Sequence, residues 1–544
     1  MRLTLASRRS ELARIQAHQV GDALRRAHPQ TEINYSFHES LGDRNQNDPL
    51  WQMPEKGVFT QDFRAGLLRG DFNLVVHSWK DLAIEDDPET EIAATLSRAD
   101  ARDLLLVPEN RWPEIARTGA MSILTSSPRR GYNLGSFLDT ALPAPLRELV
   151  FIDVRGNVPT RVRKLFELNA DGLIVAKAAI DRLLEAEPDE FAGTRAELRR
   201  ALSECLWMVL PLSANPSAPA QGALAIEIAR SRPELCELLA AINCADTFTS
   251  VVREREILRG YGGGCHQKIG VSVLRRAFGE ITFLRGLTDD GRTLDSCSLR
   301  SSKPRPPQIP KEQLWPLKAS DADWFMREPI SVGLWERVRV RAAVPDPRSA
   351  PSPQPSPKGR GSQEPLALWV AKADALPNDW QVAAGQVVWV SGTQTWQRLA
   401  QRGVWVNGCA ESLGEHESPN IETLVGSELN WQKLTHAGGY ADGEMPNVAT
   451  YRLVPKNDHL NLEGKTHFFW KSGSSFEHAL SLNPWLMRAT HSCGPGNTQR
   501  ILERHGIEPH VFLDHAQWLK EISVDPVATP TSRGSDAVLE EMYL

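Results

Sequence analysis

The sequence predicts an α/β fold, and two observations lead to that class. Short apolar runs at 74–76, 122–124, 151–154 and 173–176 each end in a polar turn before a helical pattern. Runs of this length that alternate with helices are typical of largely parallel sheets. The proline-rich segment 345–365 has too little apolar surface to bury, which predicts an extended linker between two functional halves.

The composition is that of a soluble chain with several domains. With 544 residues, 41% hydrophobic residues and a net charge of −6, the chain is long enough for about three or four domains and carries no excess of positive charge. We therefore expect no general affinity for nucleic acid. Because the sequence has no long apolar run and no presequence, we expect a cytoplasmic monomer without a membrane partner.

The cysteines indicate a reducing compartment. Their number is odd, they are widely spaced, and no pair has metal-ligand spacing, so we expect neither a disulfide framework nor a metal site. The seven are Cys205, Cys236, Cys244, Cys265, Cys297, Cys409 and Cys493.

Cys265 is distinguished by its position directly after Gly262, Gly263 and Gly264. Glycines lack side-chain bulk and allow backbone angles closed to other residues, so a large group could lie against the main chain beside the thiol. This position favours covalent attachment of a ligand. The alternative is a buried, inert cysteine after a flexible loop.

Cationic and hydroxyl side chains follow several predicted strands. The carboxyl ends of parallel strands meet at one edge of a sheet, where helix N-termini present free N–H groups. Guanidinium, ammonium and hydroxyl groups gathered there suit a polyanionic ligand, although any one arginine could be a solvated surface charge. The residues are Arg8, Ser10, Lys56, Ser78, Lys80, Thr125, Ser126, Ser127, Arg129, Arg130, Arg155, Arg161 and Arg182.

Asp81 is an acid among these cations, in the segment His77-Ser78-Trp79-Lys80-Asp81. It could be only a structural ion-pair partner. It could also be the group that stabilises a developing positive charge and moves a proton during a reaction on an anionic substrate. The pattern alone leaves both interpretations open.

The first half resembles the porphobilinogen deaminase family, also called hydroxymethylbilane synthase, from Arg2 to about Leu299. Segments of that family occur here in the family's order, which is far more specific than a single short motif. They are ASRRSELARIQA, EKGVF, HSWKD, TSSPRR, VRGNVPTR, AQGALAIE and GGGCHQKIG.

The resemblance implies a transferase of tetrapyrrole (haem) biosynthesis that joins four porphobilinogen units into hydroxymethylbilane with release of ammonia. It implies a dipyrromethane cofactor bound through a thioether to Cys265, and Asp81 as the catalytic carboxylate. The implied cofactor-binding residues are Lys80, Ser126, Ser127, Arg129 and Arg130. The residues expected to bind porphobilinogen and the growing polypyrrole chain are Arg8, Ser10, Lys56, Ser78, Thr125, Arg155, Arg161 and Arg182.

The resemblance also implies a division into domains. We expect two α/β lobes of the periplasmic-binding-protein type and a small α+β cofactor domain. The expected ranges are 1–98 with 203–224 for the first domain, 99–202 for the second, 225–344 for the third, 345–365 for the linker, 366–524 for a further region and 525–544 for a C-terminal tail.

The sequence departs from the family at a few positions near these motifs. Trp79 and Ala83 flank Asp81 where methionine or leucine and proline are usual, and Gln52 stands where lysine is frequent. Pro128 replaces a small or aliphatic residue. None of these changes removes a catalytic group.

The second half contains two apolar strands that each end in Ser-Gly before a helix, at 386–392 and 466–473. This pattern predicts an internal repeat of two α/β lobes. The order of an aromatic strand, SGSSF and CGPGNT is similar to the uroporphyrinogen-III synthase family over about residues 366–524. That resemblance implies cyclisation of hydroxymethylbilane. Tyr451 is a candidate for a tyrosine implicated in that family, with a core tyrosine as the alternative.

Two other kinds of function remain open from the sequence. A two-lobed anion-binding protein of the periplasmic type would share the fold and the arginines, but it would need neither Cys265 nor Asp81. The second half alone could be an inactive scaffold or regulatory domain, because few side chains are chemically obligatory in the synthase family.

Overall fold

The computed structural model of the chain describes residues 1–39, 61–263, 267–318, 323–330, 366–383, 385–439, 445–456 and 462–524. Its contacts divide into two compact units, Met1–Ser302 with Arg327–Leu453, and Lys303–Met326 with Val454–Leu544. Lys56, Gln52 and Cys265 lie outside the described residues, as do the predicted linker and tail.

The described residues form twenty-five strands, numbered in chain order. Those before residue 302 are β1 (Arg2–Arg8), β2 (Glu32–His38), β3 (Leu74–Ser78), β4 (Thr90–Ala94), β5 (Asp103–Pro108), β6 (Ala120–Leu124), β7 (Glu148–Ile152), β8 (Gly172–Ala176), β9 (Cys205–Leu210), β10 (Leu224–Ala229), β11 (Gly270–Arg276), β12 (Gly279–Leu287) and β13 (Thr293–Ser301). The later strands are β14 (Ile309–Pro310), β15 (Leu314–Trp315), β16 (Phe325–Pro329), β17 (Leu366–Val370), β18 (Val387–Val390), β19 (Gly408–Cys409), β20 (Asn430–His436), β21 (Asn447–Pro455), β22 (His467–Trp470), β23 (Thr490–Cys493), β24 (His510–Val511) and β25 (Ser523–Val524).

The α-helices lie mostly between these strands. They are α1 (Glu11–Ala27), α2 (Gln61–Arg69), α3 (Trp112–Thr118), α4 (Pro128–Ala141), α5 (Val158–Glu167), α6 (Lys177–Glu185), α7 (Ala192–Ser203), α8 (Pro233–Ala240), α9 (Ala245–Arg259), α10 (Thr393–Ala400), α11 (Glu422–Val425), α12 (Gly473–Leu482), α13 (Asn497–Arg504) and α14 (His515–Ile522).

Polar side chains fix the starts of several helices. Ser10 accepts a hydrogen bond from the backbone N–H of Ala13, and Asn157 accepts one from the N–H of Thr160. Such caps satisfy N–H groups that have no partner within the helix. They hold α1 and α5 in fixed directions beside the carboxyl ends of β1 and β7.

The first two domains are built on five-stranded sheets of order β2-β1-β3-β10-β4 and β7-β6-β8-β5-β9. Each sheet is mixed rather than largely parallel, because β10 pairs antiparallel with β3 and β4, and β5 pairs antiparallel with β8 and β9. The opposed strands are those next to the points where the chain crosses between domains. We call residues 95–102 the forward crossing and residues 211–223 the return crossing.

Two predicted domain boundaries differ from the pairing in the structure. The segment 203–210 was expected in the first domain, but β9 pairs with β5 and so belongs to the second sheet. The first sheet instead takes β10 from the range expected for the third domain. The alternation of apolar residues is the same for either sheet, so the sequence pattern does not choose between them.

The third domain consists of α9 and the antiparallel sheet β11-β12-β13. Glu254 on α9 joins it to both crossings, since its carboxylate accepts from Arg98 at 2.7 and 2.9 Å and from the backbone N–H of Ala220 at 2.8 Å. The predicted range of this domain ended at residue 344. In the structure, residues 303–326 belong to the second unit, where β15 pairs with β22.

The strands of the second half lie in two α/β sheets, and each sheet also takes one strand, β15 or β16, from the range expected for the third domain. One has the order β16-β21-β20-β17-β18-β19, and the other, in the second unit, has the order β15-β22-β23-β24. The described ladders of β17 to β21 and of β22 to β24 are parallel.

The first of these sheets shares a core with the second domain. Trp396 on α10 is fully buried, its ring lies 5.5 Å from that of Phe137, and its Nε1 donates to the carbonyl oxygen of Ala141 at 2.9 Å. Trp405 donates to the carbonyl oxygen of Trp207 at 3.0 Å. The contacts therefore do not separate at the predicted linker, because an apolar face of each part is buried against the other.

Within the part of the chain that the structure describes, no single helix is long and apolar enough to cross a membrane, although the bent pair α8 and α9 together meets the same test of length and composition.

A candidate polyanion-binding cleft around Asp81

Asp81 lies at the end of a single 3₁₀ turn that directly follows β3. The turn is fixed by Trp79, which is 3% exposed and whose ring lies 5.2 Å from that of Phe248. Trp79, which departs from the usual residue of the family, is thus a core residue that holds the Asp81 turn in place. The Asp81 side chain points away from this core and is exposed.

The first domain supplies one wall of a cleft beside Asp81. Arg8, Ser10, Ser78 and Asp81 line a space of about 80 Å³, together with Gln16. The side-chain amide of Gln16 donates to Ser78 Oγ at 2.9 Å. The structure thus brings together four predicted site residues that the sequence places at two separate strand ends.

One cation from each of the first two domains is affected by the charge of Asp81. Burial lowers the pKa of Lys80, and the neighbouring Asp81 carboxylate opposes that shift. Burial, followed by the charges of Arg130 and Arg155, lowers the pKa of Arg161 to about 10, and Asp81 again opposes the shift. The carboxylate therefore lies within electrostatic reach of Lys80 on the first domain and Arg161 on the second.

Arg155 and Arg161 flank the start of α5, after the carboxyl end of β7. Arg161 Nε donates to the carbonyl oxygen of Gly156 at 2.8 Å, and Lys164 Nζ donates to that of Arg155 at 3.1 Å. These bonds hold the backbone around both arginines. Both guanidinium groups are half-buried, which strengthens their attraction for a carboxylate relative to a fully exposed charge.

Thr125, Ser126 and Ser127 occupy the loop between β6 and α4. Thr125 is buried and its Oγ1 accepts from the backbone N–H of Ser127 at 3.3 Å, whereas Ser126 and Ser127 are half-buried. Because β6 and β7 are adjacent and parallel, this loop and the loop carrying Arg155 lie at the same edge of the second sheet.

Arg129 and Arg130 have a different environment from the one expected of ligand-binding residues. Asp103 is fully buried, and its carboxylate accepts from Arg129 at 2.8 Å and from Arg130 at 2.6 and 3.0 Å. Burial alone would raise the pKa of Asp103, but Arg130 and Arg129 outweigh it and hold that pKa well below its usual range. The carboxyl group therefore stays ionised in the folded protein.

The same carboxylate also accepts from Asn215 and Gln221, each at 2.8 Å. Gln221 accepts in turn from Lys80 Nζ at 3.2 Å, so the buried network reaches the residue next to Asp81. Asp103 was not among the residues predicted for the site. The signal that could have found it is an acid at the head of the apolar strand β5, whose burial requires cationic partners.

Arg182 lies at the return crossing. Its guanidinium donates to the carbonyl oxygen of Gly222 at 2.7 Å and to the side chain of Gln19 at 3.2 Å, and burial lowers its pKa to about 10. Gly222 has a φ of +86°, and a Cβ there would lie 2.4 Å from the carbonyl oxygen of Ala99. Arg182 therefore links the second domain to the first at the point where both crossings touch.

Gly262 and Gly263 lie near the Asp81 loop. Gly262 and Gly263 have φ values of +94° and +67°, and a Cβ on Gly263 would lie 3.1 Å from Ile84 Cδ1. Arg259, on the preceding helix, donates to the carbonyl oxygen of Ile84 at 2.6 Å. The turn that leads to the thiol thus starts beside the segment that follows Asp81.

In the second half, Tyr451 is a core residue. It is 4% exposed within the apolar core of its sheet, and burial raises its pKa. Ser472 caps α12 by accepting from the N–H of Ser475 at 3.2 Å. The described residues contain no cluster of three or more His, Cys, Asp or Glu side chains that could hold a metal ion.

Comparisons with known proteins match the first half. A family model described as porphobilinogen deaminase, dipyromethane cofactor binding domain, matches residues 3–237. The porphobilinogen deaminase of Clostridium novyi (strain NT) is 30% identical over 297 residues, which covers 54% of this chain and 91% of that protein. The porphobilinogen deaminase of Acidothermus cellulolyticus is 35% identical over 335 residues and covers 57% and 92%, respectively. A solved periplasmic sulfonate-binding protein from Methylobacillus flagellatus KT covers 44% of this chain and 66% of its own, with 12% identity and a TM-score of 0.25.

Proposed function

The chain belongs to the porphobilinogen deaminase family, and we propose that Asp81 and the cations around it catalyse the head-to-tail joining of four porphobilinogen units into hydroxymethylbilane. The observation that carries this proposal is one exposed carboxylate at a junction of two domains, within electrostatic reach of Lys80 and Arg161. A reaction that creates a cation on a substrate with several carboxylates needs both kinds of group.

Asp81 supplies the negative charge. Loss of ammonia from an incoming porphobilinogen leaves an electron-poor pyrrole, and the free α-carbon of the terminal pyrrole of the bound chain attacks it. The ring that attacked then carries a proton that must be removed. A carboxylate held at the end of a rigid turn stabilises the positive charge and accepts that proton without a reorganisation cost at the moment of reaction.

The arginines bind the substrate's carboxylates. Arg8 of the first domain lines the space beside Asp81, and Arg161 of the second domain lies within electrostatic reach of Asp81 and of Arg155, so arginines of both domains can hold a chain of pyrroles. Guanidinium groups suit this role because they bind carboxylates through two parallel hydrogen bonds. We assign Arg129 and Arg130 chiefly to the buried network with Asp103. This network reaches Lys80, the residue before Asp81, through Gln221.

A dipyrromethane bound to Cys265 suits this cleft by its charge. Its acidic side chains match the cationic lining, and the glycine turn that precedes Cys265 begins beside the Asp81 loop. When bound, the group supplies the pyrrole to which the first substrate ring is joined. Lys80, Ser126 and Ser127 are the residues of this chain that would hold its carboxylates.

For the second half we propose uroporphyrinogen-III synthase activity. The support is the pair of parallel α/β sheets, each with a Ser-Gly turn before a helix, in a chain whose first half makes the substrate of that reaction. The alternative is a scaffold or regulatory domain. The burial of Tyr451 favours a structural role for that one residue.

Product analysis of the intact chain distinguishes these two roles. Hydroxymethylbilane closes spontaneously to the type I uroporphyrinogen, whereas a synthase inverts the last ring and gives type III. We expect mainly type III when the purified chain is supplied with porphobilinogen and the oxidised products are separated by chromatography. A parallel reaction supplemented with an independent synthase is the positive control. Type I alone, with type III only in the control, would assign the second half to a scaffold.

The anion-binding alternative is decided by the same reaction. A two-lobed binding protein would retain porphobilinogen without releasing ammonia. We propose the enzyme because a binding site has no need for an exposed carboxylate among its cations, where it would repel an anionic ligand.

A further inference from the structure

The loop 411–419 follows β19 in the second half of the chain. It lies outside residues 3–237, the part that the deaminase family model matches. In the structure it contacts three parts of the first half: the forward crossing, the return crossing and the third domain.

The return crossing is held by Glu411. Its carboxylate accepts hydrogen bonds from the backbone N–H groups of Leu212 and Ser213, the first residues after β9 apart from Pro211. Backbone N–H groups at a chain crossing have no partner within a sheet, so a side chain from elsewhere must satisfy them. Here that side chain comes from the second half.

The forward crossing is held by the other end of the loop. Arg102 Nη2 donates to the carbonyl oxygen of Pro419 at 2.7 Å, and the Arg102 guanidinium carbon lies 5.4 Å from the ring centroid of Trp389. Arg102 also pairs with Asp100 through contacts of 2.6 to 3.1 Å. The last residues of the crossing are therefore fixed on both sides.

The third domain is tied to the same loop by a bidentate ion pair. Arg276, the last residue of β11, donates from Nε and Nη2 to the two carboxylate oxygens of Glu417, both at 2.6 Å. Both side chains are partly buried, with 31% and 18% of their surface exposed. This geometry is stronger than that of an ordinary surface pair.

The loop also has an unusual backbone. Glu411 and Ser412 have φ values of +53° and +61° although neither is glycine. Such conformations are strained for residues with a Cβ and persist only where surrounding contacts determine them. The contacts that do so here are those with Leu212 and Ser213, together with the bond from Ser412 N to the carbonyl oxygen of Ser391 at 2.7 Å.

A continuous set of contacts joins the loop to the proposed site. Asp100 lies 3.6 Å from Lys177 Nζ, and the backbone N–H of Lys177 donates to the carbonyl oxygen of Arg102 at 3.0 Å. Lys177 begins α6, which carries Arg182. Glu254 binds Arg98 in the forward crossing and Ala220 in the return crossing. The loop 411–419 binds the other end of each crossing, at Arg102 and Leu212.

We propose that the loop 411–419 positions the first and second domains relative to each other for the deaminase reaction. Its residues Glu411 and Glu417 are positioning residues, not catalytic ones. The proposal rests on the proposed function, since it concerns the domain arrangement in which Asp81 and the arginines of the second domain act on one substrate. Under this proposal, the second half contributes to the deaminase reaction of the first half, independently of any synthase activity.

The test uses the full-length chain and the variants Glu411→Ala, Glu411→Gln and Arg276→Glu. We expect Glu411→Ala and Arg276→Glu to lower kcat for porphobilinogen consumption about 2- to 30-fold, the range seen for mutations along coupled networks, with a smaller change in KM. Glu411→Gln keeps an acceptor oxygen and should retain most of the rate. The double variant Arg276→Glu with Glu417→Arg restores the pair with reversed charges and should recover the rate. Glu428→Ala, which changes an exposed acid between α11 and β20, is the matched control.

Amide hydrogen exchange of residues 95–102 and 211–223 supplies a readout that does not depend on activity. We expect faster exchange in Glu411→Ala than in the wild type, with the β1 and β6 strands unchanged. Wild-type exchange at both crossings, or faster exchange with wild-type kcat, would overturn the proposal. If the wild type consumes no porphobilinogen, the proposed function is wrong, and the loop has no positioning role in that reaction. The exchange result would then show only whether the loop stabilises the two crossings.

Discussion

Replacement of Asp81 with asparagine is expected to lower kcat for porphobilinogen at least about a hundredfold, the usual scale for loss of a positioned acid or base. The amide has nearly the same shape as the carboxylate, so the turn anchored by Trp79 should be preserved. What is lost is the negative charge that faces Lys80 and Arg161, and with it both the stabilisation of a cation and the acceptance of a proton.

The measurement is the initial rate of porphobilinogen consumption at saturating substrate. Asp86→Asn is the matched control, because Asp86 is 82% exposed and lies 3.5 Å from Arg259 on the far side of the same loop. It should keep the wild-type kcat. A near-normal kcat for Asp81→Asn would reassign Asp81 to a structural ion pair.

Replacement of Asp103 with alanine is expected to destabilise the folded chain by about 3–5 kcal/mol, the scale of breaking a buried ion pair by removing one partner. The change leaves the guanidinium groups of Arg129 and Arg130 buried without their common carboxylate. It also removes an acceptor from Asn215 and Gln221. Urea unfolding followed by tryptophan fluorescence gives the change in stability.

Glu114→Ala is the control for that experiment. Glu114 forms an ion pair of similar length with Arg117, at 2.6 Å, but 51% of the Glu114 side chain is exposed. Its removal should leave the unfolding midpoint unchanged. Equal midpoints for wild type and Asp103→Ala would show that the buried carboxylate does not stabilise the second domain.

The positions of most site residues could be predicted because they follow from local patterns. An apolar run followed by a polar turn identifies the end of a strand, and Arg8, Ser78, Thr125 and Arg155 all lie at or directly after strand ends in the structure. Parallel strands bring such ends to one edge of their own sheet, so the proximity of Arg8 to Ser78 and of Thr125 to Arg155 also follows from the sequence. The comparisons confirm the resemblance of the first half to porphobilinogen deaminase. The synthase resemblance and the individual roles of the site residues stay predictions.

The pairing of Arg129 and Arg130 with Asp103 could not be predicted from a local sequence pattern. The carboxylate stands 26 residues before Arg129 in the chain, and the contact arises from the packing of α4 against β5. A sequence pattern indicates that a charge is present but not which charge it meets in space. In the same way, an apolar run indicates that a strand is present but not which strand it pairs with, so the pairing of β9 with β5 was not predicted.

The association of the second half with the first was also beyond the sequence. A proline-rich segment predicts a separation between halves, yet Trp396 and Trp405 of the second half donate hydrogen bonds to carbonyl oxygens of the second domain. Amphipathic helices and edge strands show that an apolar face must be covered. They do not show which surface covers it.

The intact mass of the purified chain tests the central claim most directly. We expect the wild-type protein under denaturing conditions to be heavier than its sequence by one dipyrromethane, and Cys265→Ser to have the unmodified mass and no activity. Cys297→Ser, which changes an exposed cysteine of the third domain, should keep the adduct. An active wild-type protein of unmodified mass, or an adduct that persists in Cys265→Ser, would contradict the account.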